Sequence, residues 1–267
     1  MSAIDRGVVT RPRQRSQMES YLHVLHALML RDMRTRFGGS HWGYMIAVLW
    51  PVVHIFMLVL IYVLRHVPAP IGDSRALFFA SGAVPALVFQ YVSREVMKAV
   101  MTNRPLTYYP QVKLFDVIFS RILVEIVTGF LGLLTVSAIL VAAGINPVPI
   151  DPFTSMCGYL AAILLGLSFG TINVSIIAFF PAWMMGSILF TLVIYVTSGV
   201  MFLPNFLPDQ IYNVLKYNPV VGIIEWVRLG YYPDLPVTID YSYILLFSLS
   251  LLTIGLLLEK HVVRKIS

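Results

Sequence analysis

His23 and His26 stand three residues apart and would share one face of a helix, the spacing of a metal-binding pair. No cysteine and no further histidine lies close enough in sequence to complete a site, so a wetted helix face is expected there, with no metal. Gly166-Leu-Ser168-Phe-Gly170 fits the nucleophile-elbow pattern G-x-S-x-G. That chemistry needs a strand–turn–helix setting and a later acid and histidine. Here the match lies inside a long apolar run, and the histidine downstream is His261, close to the C-terminus. The same residues read better as G-x-x-x-G, which lets helix backbones approach closely; packing within one protomer or between two are both open. Glu125 is the carboxylate of an otherwise apolar run, four residues after Arg121, and is expected to pair with it. No Gly-Lys dipeptide occurs, so the phosphate loop G-x-x-x-x-G-K-[ST] is absent, as is H-E-x-x-H. No catalytic residue, metal site or cofactor of its own is expected for this chain.

The composition places these residues in a membrane. Hydrophobic residues make up 58% of the sequence and charged residues 12%, against roughly 25% charged in a soluble domain. The net charge of +6 would suit nucleic acid, but the basic residues gather at the ends of apolar runs, which argues against it. The single cysteine, Cys157, permits no intrachain disulfide.

An all-α polytopic fold follows. Residues 1–18 are a basic tail, and residues 19–41 hold an amphipathic interface helix on which Leu22, Leu25, Met29 and Met33 follow helical spacing. The first forty residues are too polar for a cleaved signal peptide, so the first span is expected to serve as an uncleaved anchor. Apolar stretches at 42–64, 76–97, 117–143, 153–177, 183–202 and 241–258 predict six spans. Pro51 and Pro85 fall inside the first two. Between the last two spans, residues 205–230 predict short amphipathic helices that begin near Pro208 and Pro219. Residues 259–267 form a second basic tail. Fifteen of the nineteen lysines and arginines fall on one side of this arrangement, which puts both termini in the cytoplasm.

The stretch MTNRPLTYYPQVKLFDVIFSR at 101–121 then lies on the cytoplasmic side. Pro105 and Pro110 prevent one continuous helix, and Tyr108 and Tyr109 sit beside Arg104, Lys113 and Asp116. A mere connector needs far less, so this segment reads as a docking surface for another protein. Aromatic residues make up 13% of the chain. Their faces can stack on sugar rings without fixing a register, which would suit a glycan canal. Trp42, Trp50, Tyr195 and Trp226 are candidate canal or gate residues. Arg94, Lys98 and Arg228 are candidates for attracting an acidic cargo, or else are snorkelling anchors.

NRPLTYYPQVKLFDVIFSRILVE (103–125) closely resembles the cytoplasmic loop and following helix of type 2 ABC transporter permeases that export capsular polysaccharide. RDMRTRFGGSHWGYMIAVLWPV (31–52) and YNPVVGIIEWVRLGYYP (217–233) resemble the same family, so the likeness runs from about residue 21 to 258. The resemblance implies a permease that pairs with a second copy of itself and with two separate ATPase subunits carrying ATP and magnesium. It makes residues 101–116 the coupling element, with Arg104, Tyr108, Tyr109, Gln111, Lys113 and Asp116 as contact residues, and 205–230 the periplasmic gate helices. The cargo it implies is a lipid-linked acidic polysaccharide, handed to a periplasmic adaptor and an outer-membrane exit protein. A lipid-linked O-antigen or teichoic acid cargo is the alternative within the class, and an integral-membrane transferase the alternative outside it.

Overall fold

The computed structural model describes residues 16–36, 41–103 and 114–263. The regular elements among them are all helical. Helix α1 (Gln17–Arg36) starts at a capping box, in which the Glu19 backbone N–H donates to Ser16 Oγ and the Ser16 N–H donates back to the Glu19 carboxylate. Helices α2 (His41–Leu64), α3 (Arg75–Asn103), α4 (Leu114–Ala142) and α5 (Pro152–Phe179) follow, then α6 (Trp183–Val196). After a single 3-10 turn come α7 (Asp209–Leu215), α8 (Pro219–Tyr231) and α9 (Tyr241–Leu258), which ends in a π turn. Asp151, Asn218 and Asp240 cap α5, α8 and α9, and proline fills the first position of α5 and α8, where no N–H is needed. Pro51 and Pro85 lie inside α2 and α3, which stay helical through them.

The bundle is built around α3 and α5. Both are mostly buried, whereas α2, α4 and α9 leave most of their surface outward. In lipid an apolar side chain gains little by moving from tail to protein, so close approach and dispersion decide helix packing. The small residues of α5 supply that approach. A β-carbon at Gly166 would come 2.9 Å from the Phe89 carbonyl oxygen, and one at Gly170 2.5 Å from Val96 Cβ, both on α3. The G-x-x-x-G motif therefore packs within the protomer. Ser168, between the two glycines, is fully buried and donates to the Leu164 carbonyl at 2.7 Å, which leaves it no nucleophilic role. Around this seam Ile55, Phe78, Phe89, Leu140, Leu165, Ile223 and Ile244 join α2, α3, α4, α5, α8 and α9 into one core.

Five of the six expected spans coincide with helices long and apolar enough to cross a membrane. The stretch expected to span at 183–202 does not form one continuous helix. Helix α6 has 14 residues, about 21 Å at 1.5 Å per residue, short of the ~30 Å hydrocarbon core. The chain leaves the helix at Thr197, turns at Gly199 with φ +82°, and reaches Pro204. The carbonyls freed by this break are taken by a side chain from α8, described below. Helix α8 buries Val220, Val221, Ile223, Ile224 and Val227 against α3 and α5, and so completes the layer that α6 leaves short.

Candidate functional site

Helix α1 lies along α4. Its buried stripe is Leu25, Leu28 and Asp32, at i, i+3 and i+7, while Leu22 is exposed. The helix is thus rotated from the expected face, because its inward stripe ends in a carboxylate. Asp32 Oδ1 accepts Arg121 Nη2 at 2.9 Å, and Arg121 Nη1 donates to Glu95 Oε2 at 3.0 Å. Arg121 on α4 therefore joins α1 to α3. The local Arg121–Glu125 pair expected from spacing gives way to two partners from other helices. Glu95 also holds Arg94 at 3.4 Å and Lys98 at 3.7 Å. Arg121, Asp32 and Glu95 are buried, while the side chains of Arg94 and Lys98 are about two-fifths exposed.

This junction sits at the ends of α3 and α4 that flank residues 104–113. Arg104, Tyr108, Tyr109, Gln111 and Lys113 lie outside the described residues. Asp116 is buried in the first turn of α4, not presented outward.

A second cluster occupies the other end of the bundle. Arg228 on α8 is fully buried. Its Nη1 donates to the Gly199 carbonyl at 2.8 Å and the Phe202 carbonyl at 3.4 Å, and Nη2 donates to the Val200 carbonyl at 3.0 Å. The guanidinium lies 4.0 Å from the Phe78 ring centroid. These are the carbonyls released where α6 ends, so one side chain fastens the 199–202 turn, α8 and α3 together. Nearby, Tyr62 donates its hydroxyl to the Met201 carbonyl. Tyr195, buried, bonds His54 of α2 through its hydroxyl. Trp226 is half-buried, edge-on to Tyr241 at 4.6 Å. Trp42 and Trp50 are exposed on the outer face of α2.

Of the residues singled out from sequence, Arg94 and Lys98 thus meet at Glu95, Arg228 works through backbone carbonyls, and Tyr195 and Trp226 lie toward the same end as Arg228. The sequence alone does not mark Asp32, His54 or Gly82, the α3 glycine that lies against the Arg228 guanidinium. Asp32 carried one signal, an acid among the arginines of α1 at 31, 34 and 36. Among the described residues no cluster of three or more metal-ligating side chains occurs.

Among the described residues the arrangement is one of mechanical links. Buried ion pairs tie three helices at one end, and a buried arginine ties a turn and two helices at the other. Helix α3 joins the two, with Glu95 and Gly82 about 20 Å apart along it. No family model matches the chain. It is 25% identical over 241 residues to the capsule polysaccharide export inner-membrane protein BexB of Haemophilus influenzae, covering 89% of this chain and 90% of that protein. To the capsule polysaccharide export inner-membrane protein CtrC of Neisseria meningitidis serogroup A it is 29% identical over 251 residues, covering 90% and 92%. To the polysialic acid transport protein KpsM of Escherichia coli it is 28% identical over 249 residues, covering 92% and 96%.

Proposed function

We propose that this chain, a member of the capsule polysaccharide export permease family, is the membrane-spanning subunit of an ATP-driven exporter that carries lipid-linked capsular polysaccharide across the bacterial inner membrane. The observation that carries the proposal is the similarity, along about nine-tenths of both partners' lengths, to two capsule polysaccharide export inner-membrane proteins and a polysialic acid transport protein.

ATP and magnesium belong to a separate ATPase subunit, since this sequence lacks a phosphate loop. Two such subunits and a second copy of the chain complete the transporter. The tail at 1–18, the interface helix at 19–41, the coupling segment at 101–116 and the tail at 259–267 face the cytoplasm, where most of the basic residues fall. The transmembrane domain is 42–258, and the 205–230 helices form the periplasmic gate. A periplasmic adaptor and an outer-membrane exit protein receive the glycan.

In this reading the ATPase displaces the segment through Arg104, Tyr108, Tyr109, Gln111 and Lys113. The ends of α3 and α4 move with it. The Asp32–Arg121–Glu95 junction makes α1, α3 and α4 respond as one body, because separating them would strand a buried charge. Helix α3 carries the displacement to the Arg228 clamp, which holds α8 and the 199–202 turn. Trp42, Trp50, Tyr195 and Trp226 supply aromatic surface along the canal or gate.

Deletion of the gene should leave lipid-linked glycan inside the cell, and the plasmid-borne chain should restore surface capsule. The chain should co-purify with an ATPase whose turnover rises when capsular glycolipid is added. Surface capsule that is unaffected by deletion would reject the proposal. Labelling of single cysteines placed in 104–113 of a Cys157→Ala background tests the orientation, and labelling from the periplasm would reverse it.

A further inference from the structure

A cavity of about 360 Å³ opens between α7, the start of α8 and the start of α9. Its size falls in the range of small-ligand sites. Three tyrosines line it, Tyr212, Tyr217 and Tyr243, together with Lys216, Asp240 and Glu225. Most of its polar groups are already engaged. The Tyr243 hydroxyl donates to the Tyr217 carbonyl at 2.7 Å, Asp240 caps α9, and Lys216 Nζ donates to Asn213 Oδ1 at 2.8 Å. Glu225 differs. It is only 4% exposed, and its Oε1 has no hydrogen-bond partner among the described residues. A buried carboxyl oxygen without a partner carries an uncompensated desolvation cost, which a hydrogen-bond donor entering the cavity would relieve.

We propose that this cleft is a saccharide subsite in which the Glu225 carboxyl receives hydroxyls of a pyranose ring set among the tyrosines. The charges select the ligand class. Lys216 lines the cleft, and Arg228 stands one turn from Glu225 on α8, so a cation meets repulsion from both. Glu225 and Asp240 oppose a simple anion. A ring with neutral hydroxyls meets neither obstacle. Its hydroxyls supply the donors that a carboxylate accepts in pairs, and its axial C–H face matches an aromatic ring. Burial pushes the Glu225 carboxyl up to about 7, with Arg228 pulling the other way, so the group sits uneasily alone and gains from a donor. The site rests on the export reading for the source of the sugar: a glycan leaving between α7 and α8 would place one residue here.

The test uses the full chain in nanodiscs with its ATPase partner. The probe is oligosaccharide released by mild acid from the capsule of the source cells, and binding is read by saturation-transfer NMR. The parent should bind saturably. Glu225→Gln should weaken binding about tenfold, and Thr238→Trp, on the exposed rim, should abolish it by filling the mouth. Thermal melting verifies that both variants fold. Parent-like binding by both folded variants would overturn the subsite, as would failure of the parent to bind any fragment. Capsule at the surface of deletion cells carrying the parent gene reports on the export role separately, so either idea can fail without the other.

Discussion

Gly82 lies directly beneath the Arg228 guanidinium, so close that a β-carbon there would come within 2.5 Å of Nη2. Helix α3 therefore contributes an absence of side chain to the outer clamp, and the arginine fills it between the Phe78 ring and three carbonyls. The guanidinium cannot slide aside without dropping hydrogen bonds that a buried carbonyl has no other way to make.

Gly82→Ala should consequently destabilise the protein by about 1–3 kcal/mol, despite the better helix propensity of alanine. Arg228→Met should cost more, because the Gly199 and Val200 carbonyls are then stranded where α6 has already ended. Thermal unfolding in detergent checks both. Arg228→Lys should fall between parent and Arg228→Met, since an ammonium cannot reach all three carbonyls in the same fork. Equal melting of parent and Gly82→Ala would show that the clamp is loose.

At the opposite end, Arg121→Met leaves Asp32 and Glu95 buried with their shared cation gone. Breaking such a pair costs about 3–5 kcal/mol. Adding Asp32→Asn and Glu95→Gln removes the two carboxylate charges that faced Arg121 and should recover much of that loss. The stability of the triple variant separates the ion pairs from the rest of α4. Under the export proposal it should also lower the capsule exported per ATP hydrolysed, because α1 and α3 are then no longer fastened through α4. Full coupling in a well-folded triple variant would remove the junction from the mechanism.

The long helices were legible because an apolar run of about twenty residues has few other fates, and the expected limits at 42–64 and 241–258 coincide with α2 and α9. What could not be read locally was anything decided by a distant partner. The end of α6 depends on Arg228, 29 residues after Gly199. The rotation of α1 depends on Arg121, far along the chain from Asp32. An i,i+4 rule favours Glu125 for Arg121, but three helices meeting at one point offered two buried carboxylates instead. The Gly166/Gly170 motif announced close packing without naming its partner, which proved to be α3. Of the stretch that carried the family likeness most strongly, 103–125, the loop at 104–113 lies outside the described residues, so its docking role stays an expectation from the sequence.

Glu225 makes the stability of the chain fall as pH rises. Burial raises its carboxyl from 4.5 to about 7, so the folded protein keeps a proton that the unfolded chain has released. The stability this group contributes is fully present below pH 4.5 and is lost as pH rises through about 7. The loss is on the order of 3 kcal/mol. Glu225→Gln keeps the neutral shape and should flatten the decline between pH 5 and pH 8, with little change at pH 5. Melting curves at the two pH values measure it, and an unchanged slope would assign the titration to another group.

Gly170 offers the sharpest test of where the small-residue seam lies. A β-carbon there would sit 2.5 Å from Val96 Cβ and 2.9 Å from the Ser93 carbonyl oxygen, so backbone as well as side chain stands in the way. Helices α3 and α5 would have to part, and they form the central contact of the bundle. Gly170→Leu should therefore lower the stability of the isolated protomer by at least about 1–3 kcal/mol, with poor insertion or rapid degradation in cells. A glycine serving a contact between two copies would behave differently: the variant would fold as a stable monomer and lose only its association. Unfolding and oligomeric state measured on the same detergent preparation distinguish the two. A stable, monomeric Gly170→Leu protein would move this seam from the protomer's interior to its boundary.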